Sequence, residues 1–265
     1  MKKFVDIFKN KIILFVLILL VSLLFTTASI TTPMLSIDKR IDQVPTCSKP
    51  SGQIIASGID ISSYQGNVDF NKVKADGVDF VILRVGTSKG MDKNFHTYYN
   101  SAIKAGLDVG CYFYTYSTTV EETRKEAYNV LKEIQGKTFS YPVFYDFEYP
   151  QLLSYDRIDT NTDMVLEFCK IIKRAGYYPG LYTSSSYHSD FLHTSLIDTT
   201  LDVWVANYSD YSGIDKFNYS SNFSMWQYSN IGNINGINAD VDLNYSFVDY
   251  PSLINKFNYR VSKIK

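Results

Sequence analysis

The stretch from Gly136 to Pro150, GKTFSYPVFYDFEYP, contains the pattern from which the fold of this 265-residue chain can be inferred. It begins at a glycine, continues as an apolar and aromatic run, and ends in two carboxylates, Asp146 and Glu148. Glycine just past a helix readily takes the left-handed conformation that ends the helix. A short apolar run bounded in this way is typical of a buried strand. The stretch therefore predicts a helix end followed by a strand.

The same succession recurs along the chain at intervals of roughly 30 to 40 residues. A helical pattern ends at a glycine and a strand-like run follows, as in Gly77 before VDFVILRV, Gly106 before LDVGCYFY, and Gly176 before YYPGLYT. Strands that alternate with helices predict βα units and a parallel sheet. The number of units and the absence of GxGxxG after the first strand favour a (β/α)8 TIM-like barrel over a doubly wound sheet.

Two helices of this α/β fold are visible in the hydrophobic pattern. Thr118 and Glu121 have the spacing of a capping box, and apolar residues follow at helical spacing: Val120, Ala127, Val130, Leu131 and Ile134. The next helix is marked by Val165, Phe168, Cys169 and Ile172. After Ser195 the runs LDVWVANY, FSMWQYS and DVDLNYS are separated only by short turns. We therefore expect a modified barrel in which the last strands lack full helices.

The N-terminal region differs in composition from the rest. Residues 1–30 combine lysines with a long apolar run and then small residues, which predicts a signal peptide or an N-terminal membrane anchor. Residues 31–56 show no hydrophobic period and are interpreted as a linker, and residues 57–256 as the barrel domain. The barrel is expected outside the cell or on the outer face of the cytoplasmic membrane, with membrane contact only through the N-terminal segment.

The amino-acid composition limits the classes of ligand and partner that are expected. The net charge of −1 comes without a long basic run, so nucleic acid is not an expected partner. The three cysteines do not indicate a disulfide framework, and the three scattered histidines lack metal-ligand spacing, so neither metal nor cofactor is expected. The 22 tyrosines and 17 phenylalanines suit a polar, ring-shaped ligand such as a sugar. A monomer is expected.

Acidic residues occur where several strands are predicted to end. Asp146 and Glu148 are two apart and so face the same side of a strand. Asp60 lies near the end of SGIDISSYQG, and the last strand, NADVDLNYS, offers Asp240 or Asp242. Barrel closure brings the first and last strands together, and catalytic groups of such barrels lie at the strand ends. A D-x-E pair alone is a weak motif, but together these acids are suited to cleavage of a glycosidic bond.

The chain resembles the glycoside hydrolase family 25 lysozymes. The segments that carry the resemblance are GIDISSYQGNVDF, FVILRVGTSKGMDKNFHTYYNSAIKAGLDVGCYFYTYS, PVFYDFE, GYYPGLYTS, VWVANY, MWQYS and GINADVDLN. They occur in the family's order over about residues 57–250. The resemblance implies a modified β/α barrel and N-acetylmuramidase activity, which is hydrolysis of the β-1,4 bond between N-acetylmuramic acid and N-acetylglucosamine in peptidoglycan.

The resemblance also implies roles for the acids. Glu148 would be the general acid and base, Asp146 its partner, and Asp60 and Asp242 the flanking acids, with Asp242 matched in preference to Asp240. Burial and nearby charges should raise the pKa of Glu148, whereas Asp146 is expected to remain charged. Asp146 would either attack the anomeric carbon or orient the 2-acetamido group of the substrate, and the sequence leaves both routes open.

Aromatic residues are the candidates for contact with sugar: Tyr112, Tyr182, Trp204 and Trp226. The chain departs from the common family pattern at Tyr64, where Trp is frequent, and at Tyr114, where His is frequent. Both changes are expected in the cleft lining. Two alternatives remain at this point, a hexosaminidase acting on chitin-like polymers and a wall-binding barrel without catalytic turnover.

Overall fold

The computed structural model describes residues 39–208, 219–220 and 222–264. The predicted signal peptide or anchor over residues 1–30 lies outside the described residues. Within them, no helix combines the length and apolar character needed to cross a membrane.

The described residues alternate between strands and helices through most of their length. The strands are β1 (Ala56–Ile61), β2 (Phe80–Thr87), β3 (Gly90–Met91), β4 (Asp108–Tyr114), β5 (Val143–Asp146), β6 (Pro179–Ser184), β7 (Asp202–Ala206), β8 (Met225–Gly232) and β9 (Val241–Ser246). The helices are α1 (Phe70–Ala75), α2 (Phe95–Lys104), α3 (Val120–Ile134), α4 (Ile158–Ala175), α5 (Ser185–Phe191), α6 (Thr194–Thr200) and α7 (Tyr250–Ser262). Short 3-10 turns occupy Lys39–Gln43, Ser63–Gln65, Pro150–Leu152 and Tyr155–Arg157.

All strands except the two-residue β3 form a closed barrel. The order is β1, β2, β4, β5, β6, β7, β8, β9, and β9 pairs with β1 to complete the ring. Neighbours from β1 to β8 run parallel, whereas β9 is antiparallel to both β8 and β1. Residues 233–240 join β8 to β9 without a helix, and a parallel pair would need a longer crossover. The predicted modified barrel is confirmed, with one strand reversed.

The glycines that mark the repeat have the backbone conformation expected of helix ends. Gly77, Gly106, Gly136 and Gly176 have φ angles of 90°, 76°, 75° and 99°. At the end of α4, Gly176 is left-handed and its N–H donates to the carbonyl of Ile172. These positions confirm the pattern from which the βα units were predicted.

The cap of α3 lies one residue later than predicted. The Thr119 hydroxyl, rather than that of Thr118, accepts the hydrogen bond from the Glu122 N–H, at 3.3 Å. The Glu122 carboxylate in turn accepts from the Thr118 N–H at 2.9 Å. TTVEE contains two overlapping capping registers, and the one that places Val120 at the first helical position is adopted.

Residues 39–55, here called the N-terminal strap, are packed against the barrel. Ile41 is fully buried, in the same apolar cluster as Tyr250 of α7. The carboxylate of Asp202 accepts hydrogen bonds from the Ser48 N–H at 2.6 Å and the Ser48 hydroxyl at 2.7 Å. Within the segment interpreted as a linker, these residues contact the barrel through a buried apolar side chain and through polar groups.

Side chains alternate between the barrel interior and the helical layer along each strand. In β2, Phe80 and Ile82 belong to the inner cluster, whereas Val81 and Leu83 pack with the helices. A residue two positions beyond an inward apolar residue of the same strand therefore also faces the barrel interior. Polar side chains at such positions lie above the apolar residues of the inner cluster. This alternation builds the site.

Candidate active site

A cavity of about 310 Å³ opens at the carboxyl ends of the parallel strands. Its lining includes the acids Asp60, Asp146, Glu148 and Asp242. The other polar and aromatic residues of the lining are Ser62, Tyr64, Gln65, Arg84, Tyr112, Tyr114, Tyr182, Trp204, Tyr208, Gln227 and Asn230. The acids come from three strands and from the residues just after one of them. The barrel therefore brings together groups that are up to 182 positions apart in the sequence, from Asp60 to Asp242.

The pair Asp146 and Glu148 owes its position to β5. Phe144 lies in the inner cluster, so Asp146, two residues on, also faces the interior, and both acids line the cavity. Asp146 is buried, and its Oδ1 has no hydrogen-bond partner among the described residues. A buried carboxylate oxygen without a partner is unfavourable unless a ligand or water satisfies it.

Asp60 and Asp242 meet directly across the β1–β9 pair. They are opposite residues in the antiparallel register, and their carboxyl groups are hydrogen bonded to each other. Asp242 lies near the start of its strand, not at the carboxyl end where the sequence placed it, and reaches the same rim because β9 is reversed. Asp240 is exposed and does not line the cavity. The geometry therefore favours Asp242 over Asp240.

Glu148 has the electrostatics of a proton donor. Burial, and then the negative charge of Asp242, raise its pKa to about 7, and the nearby Tyr182 hydroxyl acts in the opposite direction. A carboxyl group with this pKa holds a proton under mildly acidic conditions and releases it near neutrality. The expectation of a raised pKa for Glu148 is consistent with this environment.

Asp146 lies in surroundings that oppose its ionisation. Burial raises its pKa well above the ordinary value, and the charges of Glu148 and Asp60 raise it further. The guanidinium of Arg84 acts the other way. The expectation that Asp146 stays charged in the free protein is therefore opposed by its environment, because the sequence did not reveal how completely this residue is buried.

A network of buried amides holds Asp60. Asn244 Nδ2 and Gln227 Nε2 both donate to Asp60 Oδ2, at 2.8 Å and 2.7 Å. Asn244 Oδ1 accepts from the Trp204 indole at 2.8 Å, and Gln227 Oε1 accepts from the Tyr182 hydroxyl at 2.8 Å. Neither amide stands out in the amino-acid sequence. The alternation along β8 and β9 could have indicated them, because each amide is two residues away from a side chain that faces the barrel interior.

The aromatic candidates divide into two groups. Tyr112, Tyr182 and Trp204 line the cavity. Trp226 does not line it. It packs outside the barrel with Val205 and Phe247, and its indole donates to the Asn207 carbonyl at 3.2 Å. Because Gln227 faces inward, its neighbour Trp226 must face outward, so Trp226 is not retained as a cleft residue.

The positions at which the chain departs from the family pattern lie in the cavity wall. Tyr64 and Tyr114 both line it, and Tyr64 is 81% exposed. The Arg84 guanidinium lies 4.8 Å from the centre of the Tyr64 ring and is held by Asp92 through an Nη2 to Oδ2 contact of 2.8 Å. Among the described residues, no group of His, Cys, Asp or Glu side chains is arranged to hold a metal ion.

A closed barrel whose mouth gathers four acids, one with a pKa of about 7, has the arrangement of a glycoside hydrolase. Residues 59–237 match the family described as glycosyl hydrolases family 25, and the chain belongs to this family. The resemblance found in the sequence is thereby confirmed.

Relatives share the barrel over most of its length. The autolytic lysozyme of Clostridium acetobutylicum is 32% identical over 189 residues, which cover 70% of this chain and 54% of that protein. The modular autolysin LytC of Streptococcus pneumoniae, solved in complex with a synthetic peptidoglycan ligand, is 27% identical, with a TM-score of 0.62 over 72% of this chain and 46% of LytC. The lysozyme of Streptomyces coelicolor shares the fold at 21% identity, with a TM-score of 0.60 over 77% of this chain and 97% of that one. The chain spans about half the length of the first two.

Proposed function

We propose that this protein is a lysozyme that hydrolyses the β-1,4 bond between N-acetylmuramic acid and N-acetylglucosamine in bacterial peptidoglycan. The observation that carries the proposal is Glu148 with a pKa of about 7 beside Asp146, in a cavity shared with Asp60 and Asp242. Membership of the family supports it, as do the autolytic lysozyme relative and the LytC complex with a peptidoglycan ligand.

In the proposed reaction, Glu148 donates its proton to the glycosidic oxygen as the bond to the anomeric carbon breaks. The sugar then carries developing positive charge, which an ionised Asp146 stabilises by attack on that carbon or by orienting the 2-acetamido group for attack. Glu148, now ionised, accepts a proton from the water that completes hydrolysis. Positive charge on the sugar would itself favour ionisation of Asp146, against the effect of burial.

The lining of the cavity supports a sugar ligand. Tyr112, Tyr182 and Trp204 form a floor that is largely buried, whereas Tyr64 presents an exposed ring at the rim. Aromatic rings offer apolar faces that suit the C–H faces of a sugar, and the hydroxyl and amide groups between them suit its polar edge. We assign the floor to the sugar at the cleaved bond and Tyr64 to a neighbouring sugar.

The chemistry is tested by mass analysis of fragments released from purified cell walls. Muramidase action leaves new reducing ends on N-acetylmuramic acid, whereas reducing ends on N-acetylglucosamine would contradict the assignment of the bond. Chitin oligosaccharides assayed in parallel are expected to be cleaved much more slowly, and preference for them would favour the hexosaminidase. Wall binding without any new reducing ends would favour the non-catalytic barrel.

We further propose that the barrel acts outside the cytoplasmic membrane, as a monomer. The Lys-flanked apolar segment within residues 1–30 supports export, either with cleavage or as a retained anchor. Protease treatment of intact wall-stripped cells that express the full chain is expected to digest the barrel region. Protection of that region until the cells are lysed would contradict the proposal, and N-terminal sequencing would separate cleavage from retention.

A further inference from the structure

The amide of Asn244 has only one orientation that its neighbours allow. The indole N–H of Trp204 can only donate, so the atom it meets on Asn244 must be the carbonyl oxygen. The amide nitrogen of Asn244 is then directed at Asp60 Oδ2, and it also lies 3.4 Å from the Asp242 carbonyl oxygen. Trp204, Asn244 and Asp60 are all buried, so water does not offer these groups an easy alternative.

Gln227 repeats this arrangement from the next strand. The hydroxyls of Tyr182 and Tyr208 both donate to its Oε1, and its Nε2 donates to the same oxygen of Asp60. Asp60 Oδ2 therefore accepts two N–H groups. A proton on this oxygen would point at one of them, so the proton that the two carboxyl groups share must lie on the other oxygen of Asp60 or on Asp242.

We propose that Asn244 and Gln227 are positioning residues that keep Asp60 Oδ2 as an acceptor, so that Oδ1 of Asp60 presents its proton to Asp242. Asp60 is the more deeply buried of the two acids and thus the one better suited to remain neutral. Asp242, hydrogen bonded by that proton, then carries the negative charge of the pair. That charge helps to keep Glu148 protonated. The use of this proton in catalysis rests on the proposed lysozyme reaction.

Other charged groups face the pair from several strands, and they set the background of any titration. The titratable groups that interact electrostatically with Asp60 or Asp242 are Tyr112 on β4, Asp146 on β5, Glu148 just beyond it, Tyr182 on β6 and Tyr208 after β7. Arg84 on β2 is the cation that interacts with Tyr112 and Asp146. None of these surrounding residues is substituted in the variants used for the test.

The test compares Asp60→Asn with Asn244→Leu. In Asp60→Asn, the new amide oxygen accepts from Asn244 and Gln227 while its N–H donates to Asp242, so the pattern of donors is preserved. In Asn244→Leu, Oδ2 loses a donor and becomes free to hold the proton, which removes the hydrogen bond to Asp242. Carbon-13 NMR of the aspartate carboxyl groups is expected to show Asp242 titrating near its wild-type pH in Asp60→Asn and about 1 pH unit higher in Asn244→Leu.

The activity of the same proteins supplies a second measurement. If Asp242 takes up a proton in Asn244→Leu, the pKa of Glu148 falls and the alkaline limb of the pH–rate profile moves to lower pH. Trp226→Phe is the matched control, because it removes a neighbouring indole outside the cavity and should leave the titrations unmoved. Gln227→Met gives the same comparison if Asn244→Leu does not fold.

Unchanged titration of Asp242 in folded Asn244→Leu and Gln227→Met proteins would overturn the positioning role. So would an equal upward shift in Asp60→Asn, because that variant keeps the donor toward Asp242. A wild-type protein that fails to cleave peptidoglycan would refute the proposed function, but the NMR titrations would still decide whether the amides position Asp60.

Discussion

At the scale of the residue, Glu148 is the group whose chemistry is most open to a direct test. Glu148→Gln keeps the shape and hydrogen-bonding capacity of the side chain but removes the transferable proton. We expect wall cleavage to fall by about 10²-fold or more, with binding of the glycan retained. The measurement is the release of reducing sugar from purified peptidoglycan, together with a pelleting assay for binding. Full activity in a folded Glu148→Gln protein would refute its role as the acid.

The loss of Glu148 should also change the pH dependence of any residual activity. With a pKa of about 7, this group is protonated on the acidic side and sets the alkaline limb of the wild-type profile. Glu148→Gln is therefore expected to abolish that limb, whereas a variant that merely loosens the barrel would lower the rate at every pH.

Asp242 on β9 and Asp240, in the connection just before it, form a natural matched pair. Asp242 lines the cavity and is bonded to Asp60, whereas the Asp240 side chain is exposed outside it. We expect Asp242→Asn to lower the rate by about 10-fold or more and Asp240→Asn to leave it nearly unchanged. Melting temperatures of both variants control for misfolding. A larger loss in Asp240→Asn would show that the catalytic flank had been assigned to the wrong acid.

Single residues differ in how much of their role the sequence reveals. The acids were found because carboxylates in an apolar run have an unusual composition that calls for a functional explanation. Asn244 and Gln227 do not stand out, since an amide near a strand end is common and only the register across β1, β8 and β9 directs it at Asp60. Trp226 was misplaced for a related reason, because a shift of one residue along a strand reverses the face.

At the scale of the element, the N-terminal strap is expected to contribute to the stability of the barrel. Ile41 is fully buried and Ile54, in the same strap, is 44% exposed. Truncation of a buried isoleucine to alanine typically destabilises by about 2–5 kcal/mol, whereas exposed positions change stability by about 0.5 kcal/mol or less. Urea unfolding of Ile41→Ala and Ile54→Ala should therefore show a loss in the first protein only. Equal stability of the two would mean that the strap contributes little.

The residue pattern within β9 does not show that the strand is reversed. DVDLNYS alternates in the same way in a parallel or an antiparallel strand, because side-chain period is independent of direction. The shortness of the preceding connection was visible, and it is what excludes a parallel crossover from β8. The consequence for the site is specific, since reversal places the start of β9, and with it Asp242, at the rim where the other strands end.

At the scale of the whole molecule, closure of the barrel was predictable while the packing around it was not. The recurring helix, glycine and strand pattern indicates parallel βα units, and a ring of them places all strand ends together. The strap shows the limit of that reasoning. The few apolar residues of this polar segment give no periodic signal, yet Ile41 and Val44 both join the buried cluster that includes α7.

The concentration of acids in one cavity should also give the whole molecule an unusual pH dependence of stability. Glu148 and Asp242 have pKa values of about 7 and about 6 in the folded protein, above their ordinary values of 4.5 and 3.8. A raised pKa in the folded state means that folding is favoured while the groups stay protonated. Their contribution is complete below about pH 4 and is lost as the pH rises through about 6 to 7. For Glu148 alone it is on the order of 1–3 kcal/mol.

Carboxylates with lowered pKa values, such as Asp42 beside Arg174 and Asp92 beside Arg84, act in the opposite direction and lose their contribution only in more acidic solution. We therefore expect the melting temperature to be highest at about pH 5 and to fall toward pH 8. In the double variant Glu148→Gln, Asp242→Asn, the melting temperature should fall less steeply with pH, because neither amide ionises. Part of the fall should remain, because Asp60 and Asp146 are still present. A wild-type melting temperature that rises from about pH 5 to 8 would contradict the raised pKa values of the acids in the cavity. If the melting temperature of the double variant fell as steeply as that of the wild type, Glu148 and Asp242 would not be the source of the fall.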